Sequence, residues 1–249
     1  APVIFTDFLR SKVKELGWIE HSLDCMTFLF FATVPDGRYI LLAIMVFHVD
    51  DMLLAHSPLF DLEMMRKAFE WGAWDSSPNE LTWAGRQIKS LSNGHAVVHQ
   101  STFTMSTPKG KIKTGRLQQP EELTSVEKTE HKSCTGSGQW LCGTSRPDLA
   151  SGVSLYQKGS PTIHDLKALY ALLDYARSTA DSGIYFQAMP LDIEDLVCIP
   201  YGDSSFANAE GLKTQVGHIV VLCPKKALLE PTASVICAWQ SHRTRRTVR

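Results

Sequence analysis

Apolar positions in residues 4–16 recur at helical spacing: Phe5, Phe8, Leu9, Val13 and Leu16 fall on one face, and Gly17 follows as a stop. The period then shortens. Residues 26–33 form an apolar, aromatic-rich run that predicts a strand, and Pro35, Asp36 and Gly37 predict a turn after it. Residues 38–47 are apolar at nearly every position, which predicts a strand buried on both faces. Val49, Asp50 and Asp51 then predict a turn, because Asp tolerates positive φ, and residues 52–55 read as the return strand. The product is a β-hairpin with Asp50 and Asp51 at its tip.

Residues 61–71 predict a helix with Leu62, Met65 and Phe69 inward. Residues 81–90 and 96–99 read as a strand pair around Ser92, Asn93 and Gly94. Residues 106–130 are polar, rich in Lys, Glu, Thr and Pro, and lack an apolar period, which reads as a linker. Helix returns over 133–157. The plainest helix starts near Thr162, where Thr162 and Asp165 fit a capping box and Leu166, Leu169, Leu173 and Ala176 share a face. From Leu196 the pattern changes to strands, at 197–201, 217–223 and 233–241.

The 249 residues, 44% hydrophobic, suffice for one large domain or two to three small cores. The net charge of −1 identifies no partner. The charge is unevenly spread, however: residues 225–249 carry six Lys/Arg against one acid, Glu230, and Lys109, Lys111, Lys113 and Arg116 form a second basic stretch. Nucleic acid is thus permitted through local attraction, and a solvated basic surface explains the same charges. Six cysteines without a CxxC pair fit reduced, buried thiols of an intracellular protein (cytoplasm or nucleus) better than a disulfide scaffold or a zinc site. The longest apolar run, residues 40–47, is too short for a membrane helix, and no signal-peptide pattern opens the chain.

Two adjacent carboxylates after an apolar strand are suited to a hard divalent cation such as Mg²⁺ or Mn²⁺, which takes oxygen ligands. Two such ions neutralise the phosphate in many nucleotidyl and phosphoryl transfers. An Asp–Asp pair in isolation is usually a solvated turn or helix cap. The apolar strand before it and Met52, Leu53 and Leu54 after it strengthen the metal reading.

The run FHVDDMLL (residues 47–54) resembles the catalytic hairpin of copia-type retrotransposon reverse transcriptases. Further segments are similar to the same family in the same order: ELGW (15–18) with SLD (22–24), LTWAGRQI (81–88), VVHQS (97–101), GTSRPDL (143–149) and YGDSSFA (201–207). The resemblance implies an RNA-directed DNA polymerase and RNase H from a Pol polyprotein. Asp50 and Asp51 would be palm metal ligands and Asp203 the first metal-binding carboxylate of RNase H. Mg²⁺ or Mn²⁺ would be the cofactor, and RNA template, DNA primer, RNA/DNA hybrid and dNTP the partners of the complete enzyme, with no membrane. In that enzyme a primer 3′-hydroxyl attacks the α-phosphate of the incoming nucleotide.

The chain departs from the family in several places. His48 stands where the family has Tyr, and Ser205 where it has a second Asp. The family's upstream palm Asp and its RNase H Glu have no counterpart here, which implies a fragment without polymerase activity of its own. The basic tail of His242, Arg243, Arg245 and Arg246 reads as a phosphate contact or a solvated terminus. The expected fold is α+β: the C-terminal half of a polymerase palm with the start of a thumb (1–105), a linker (106–130), a helical connection (131–190) and an incomplete RNase H-like sheet (191–249). A degenerate, non-catalytic nucleic-acid-binding or interaction remnant is the alternative. An unrelated metal-dependent phosphotransfer enzyme would need Asp24 as a further ligand.

Overall fold

The computed structural model describes residues 2–77, 79–189, 193–209 and 211–244. It is 35% helix and 32% strand, which excludes an all-α or all-β chain. All its paired strands run antiparallel. The chain divides into two compact units, Ala1–Ser77 and Pro78–Arg249.

In the first unit, α1 (Pro2–Glu15) leads to β1 (Ile19–Glu20), β2 (Thr27–Thr33), β3 (Tyr39–His48), β4 (Asp51–His56) and α2 (Leu62–Ala68). The four strands form one sheet in chain order. Its core joins Leu9 and Val13 of α1, Met65 of α2, and Phe28, Ala43, Met45 and Phe47 of the sheet. Trp18, Phe30 and Phe60 close one side, with ring centroids 5.2–5.4 Å apart.

The expectation that the strand before the hairpin is buried on both faces does not hold. Ala43, Met45 and Phe47 are buried, while Leu41 and Ile44 are exposed. One face packs on the helices and the other stays open. The register accounts for part of the apolar run: Phe30 pairs with Ala43 but Phe31 with Leu41, so Leu42 is an extra, bulged residue and packs on the core beside Ala43. The open face is itself apolar at Leu41 and Ile44, so no polar alternation marks it in the sequence.

The second unit contains β5 (Glu80–Trp83), β6 (Arg86–Ser90), β7 (Ala96–His99), α3 (Ser101–Ser106), α4 (Ser125–Cys142), α5 (Ala150–Tyr156), α6 (Ile163–Ser178), β8 (Ile184–Phe186), β9 (Leu196–Ala209), β10 (Lys213–Pro224) and β11 (Val235–Arg243). Residues 81–90 are two strands, not one. Ala84 and Gly85 both take positive φ, 48° and 73°, and make the two-residue turn between them. The sheet order β5-β6-β7-β8 joins residues 80–99 to 184–186. The structure therefore divides after Ser77 rather than at residue 105.

The stretch 106–130 is held in place on the helices. Its last residues already belong to α4, capped by Thr124 and Glu127 in a capping box. Arg116 donates to Glu127 Oε1 at 2.8 Å and to the carbonyls of Pro120 and Glu122 at 2.7 Å. Arg177 of α6 donates to Thr107 Oγ1 and the Pro108 carbonyl. Leu123 is buried in the α4–α6 core, with Ile112 and Leu117 packed against it.

The Thr162/Asp165 capping box forms as the sequence predicts. Arg146, 1% exposed, is the largest fully buried side chain. It donates in a fork to Asp148 at 2.9 and 2.7 Å and reaches the carbonyls of Ala176 and Thr179 at the end of α6. A cation there offsets the negative helix terminus. Its role is to pin the α4–α5 turn to α6. No described helix is long and apolar enough to cross a membrane, and all six cysteines are unpaired.

The Arg116 hydrogen bonds hold the Glu127 carboxyl down to about 2, from the ordinary value of 4.5. A lowered folded-state pKa stabilises above the unfolded value and is lost as pH falls. Glu127→Gln should therefore lower the melting temperature near neutral pH, and the gap to wild type should close as pH falls from about 4.5 towards 2. Thermal melts across that range check this; a gap independent of pH would contradict it.

Candidate functional site

β3 and β4 are joined by only two residues, Val49 and Asp50, and His48 pairs directly with Asp51. The turn is one residue shorter than the sequence predicts, so Asp51 opens β4. So tight a connection requires positive φ in the turn. Val49 supplies it, at φ 58°. A β-branched residue is unfavourable there, by about 1–2 kcal/mol for left-handed backbone. Val49 is also 68% exposed, so packing does not offset the cost. Such strain is found at functional sites more often than elsewhere.

The two carboxylates follow from this geometry. Asp50 stands at the corner, and both residues are exposed. By strand alternation Asp51 shares its face with His48, Val46, Ile44 and Leu53. That is the open face, opposite the buried Phe47, Met45 and Ala43. An apolar floor thus runs up to the Asp51 carboxylate on the side that stays accessible.

The donor chemistry suits a hard divalent cation in kind but not in number. Among the described residues no group of three or more His, Cys, Asp or Glu side chains converges to hold a metal. Asp24 lies towards the same end of the sheet, since the Met26 carbonyl accepts from Phe47 N–H at 3.0 Å. Its carboxylate is already committed: it accepts from Thr27 Oγ1 at 2.6 Å and from Met26 N–H at 3.0 Å, and these bonds lower its pKa. It serves as the turn residue leading into β2.

Asp203 lies on β9, paired with Gly217. It is exposed and accepts from the Ser204 N–H at 2.8 Å. The β9, β10 and β11 sheet and the start of α5 enclose a cleft of about 390 Å³, lined by Asp203, Tyr201, Ser205, Gln215, Trp239 and Ser151, among others. Among the described residues Asp203 is the one carboxylate in that lining. Asp50 and Asp51 lie in one unit and Asp203 in the other.

Other candidates are structural or surface residues. Tyr170 donates to Glu130 at 2.7 Å inside the α4–α6 packing, and Tyr175 lies under the Arg146 guanidinium at 5.6 Å. The Arg86 guanidinium lies 5.5 Å from the Trp83 ring and 5.9 Å from Trp140. In the basic tail, residues 245–249 lie outside the described residues. Gln215 and Ser241, polar residues of the Asp203 cleft, carry no local signal in the sequence, because strand register sets residues about thirty positions apart side by side.

Comparison of the chain with models of known protein families, with curated proteins and with solved structures finds no match.

Val49→Gly removes the left-handed penalty while adding freedom to the unfolded chain, so the two effects nearly balance. The expected change is between zero and about 1 kcal/mol of stabilisation. Denaturant unfolding measures it; clear destabilisation would contradict the strained turn.

Proposed function

We propose that this chain carries the metal-binding hairpin of a copia-type RNA-directed DNA polymerase, with β9–β11 as part of an RNase H-like sheet. The carrying observation is Asp50 in a strained two-residue bend with Asp51 next to it on the open face of a sheet whose other face is packed. The ordered resemblance along the chain supports the same reading. Asp50 and Asp51 would hold Mg²⁺ or Mn²⁺, which when bound supplies charge neutralisation at a reacting phosphate. The chain's own contribution is positional: β3 and β4 fix the two carboxylates, and the open apolar face leaves room for a primer end. His48 stands beside Asp51 with an aromatic ring and a polar tip. RNA template, DNA primer, RNA/DNA hybrid and dNTP are the partners this reading assigns to the complete enzyme. Because no third ligand converges on the hairpin, the remaining ligands come from outside the described residues.

Two assays test the proposal. The chain alone should give no primer extension on an RNA template with Mg²⁺ or Mn²⁺; robust synthesis would overturn the dependence on further ligands. Residues 39–56, put in place of the equivalent hairpin of an active copia-type polymerase, should keep extension, and Asp50→Asn in that chimera should abolish it. A chimera that binds primer–template but extends nothing would overturn the hairpin assignment.

A second reading is a non-catalytic nucleic-acid-binding remnant, favoured by the solitary Asp203 and the short ligand set. On that reading, replacing Asp50 and Asp51 by Ala leaves RNA binding unchanged or stronger, because only repulsion is lost.

A further inference from the structure

The cleft beside Asp203 is hollowed by a glycine that the backbone does not require. Strand register sets side chains in rows on the face of the sheet turned to α5. Tyr201, Ile219 and Trp239 form one row, and Asp203, Gly217 and Ser241 the next. Gln215 follows on the same face and donates to Ser154 Oγ of α5 at 3.0 Å. Gly217 thus lies between the Asp203 carboxylate and the Ser241 hydroxyl, in the lining of the cleft.

Glycine weakens a strand interior and is usual there where a bulge, a positive φ or a close backbone approach demands it. None of these applies to Gly217. It is not among the positive-φ glycines. Its pairing continues without a shift from Gln215 to Ile219 on both sides. A Cβ at this position would meet the Gln240 carbonyl oxygen at 3.7 Å and Ser241 Oγ at 4.0 Å, both ordinary contacts. What the missing side chain leaves is space: about 390 Å³, bounded on the other side by Ala150 and Ser151 of α5. That volume is in the range of small-molecule sites.

The walls differ in kind. Tyr201, Ile219 and Trp239 present apolar surface at one end, with Tyr201 and Ile219 exposed. Trp239 is held in place, because its Nε1 donates to the Cys142 carbonyl at the end of α4. The two sides flanking Gly217 are opposite in character. The ionised Asp203 carboxylate is an acceptor with about four lone-pair positions, one of which takes the Ser204 N–H at 2.8 Å. Ser241 Oγ accepts from Gln215 Nε2 at 2.7 Å and still carries an O–H to donate. A water-filled surface groove accounts for the polar sides but not for the glycine.

Small residues above and below suit a flat group. Its edges must offer donors towards Asp203 and an acceptor towards Ser241. Nucleobases combine flat apolar faces with such edges. Guanine matches best: N1–H and N2–H are adjacent donors for the two oxygens of a carboxylate, and N7 is an acceptor on another edge. The other bases offer a carboxylate a single donor nitrogen.

We propose that the slot between Asp203, Gly217 and Ser241 binds a guanine base, carried by a nucleoside or by a single strand of nucleic acid. Asp203 accepts from N1–H and N2–H, Ser241 donates to the opposite side, and Ile219 and Trp239 pack against the ring. Asp203 acts here as a hydrogen-bond acceptor without a metal ion. The proposal is independent of the hairpin reading, which concerns the other unit.

The test is a titration of the full chain, with a chelator present, followed by amide and indole resonances. The ligands are guanosine and, separately, an oligothymidylate of about a dozen nucleotides with a single central guanine. At least one should shift the resonances of residues 203, 217 and 241 and the Trp239 indole saturably. Hypoxanthine in place of guanine lacks the N2 donor and should weaken binding about tenfold, and Asp203→Asn should weaken it at least as much. Gly217→Val fills the slot and should abolish binding. Because a β-branched residue suits a strand where glycine does not, it should also raise the melting temperature by roughly 2–4 °C. A response to guanosine assigns a nucleoside-type ligand, and one to the guanine-bearing strand alone assigns a nucleic-acid strand. No response to either ligand, equal binding of hypoxanthine, unchanged binding by Asp203→Asn or Gly217→Val, or a lowered melting temperature in Gly217→Val would overturn the proposal.

Discussion

A two-residue connection between β3 and β4 determines where the adjacent carboxylates Asp50 and Asp51 stand. The loop is too short to close with ordinary backbone angles, so Val49 takes the left-handed conformation at φ 58°. Once it does, Asp50 is at the corner and Asp51 is paired with His48 on the open face. Neither carboxylate can retreat into the core, which Phe47, Met45 and Ala43 fill from the other side. The turn thus keeps both carboxylates at the exposed end of the hairpin.

Much of this hairpin was legible in the sequence, since an apolar run followed by turn-forming residues is a local signal. The two-faced burial was misread for a physical reason. A bulge at Leu42 puts consecutive residues on one face, and the remaining apolar positions, such as Ile44, stay exposed. The capping box at Thr162 and Asp165 was readable because its bonds span three residues. Residues 106–130 were not, because what holds them is remote. Arg177 reaches Thr107 and Pro108 from about seventy positions away, and polar side chains rather than an apolar period supply most of the bonds. Likewise, Ala84 and Gly85 hid a turn inside what reads as one strand.

The candidate site was legible in the same uneven way. Asp50, Asp51 and Asp203 stand out by type and setting, but whether they meet is a tertiary question, and the structure puts the pair and Asp203 in separate units. Asp24, the one local candidate for a third ligand, has its oxygens engaged by Thr27 and Met26. Arg243 was legible as part of the basic tail, but the polar groups that strand register sets beside it, Gln215 and Ser241, were not.

The central claim is that the bend at Val49 presents Asp50 and Asp51 as the first ligands of a divalent cation. Paramagnetic broadening of amide resonances by Mn²⁺ tests it most directly. The account expects weak, saturable broadening centred on residues 48–52 that disappears in Asp50→Asn/Asp51→Asn. Broadening centred elsewhere, or unchanged in that double variant, would contradict it.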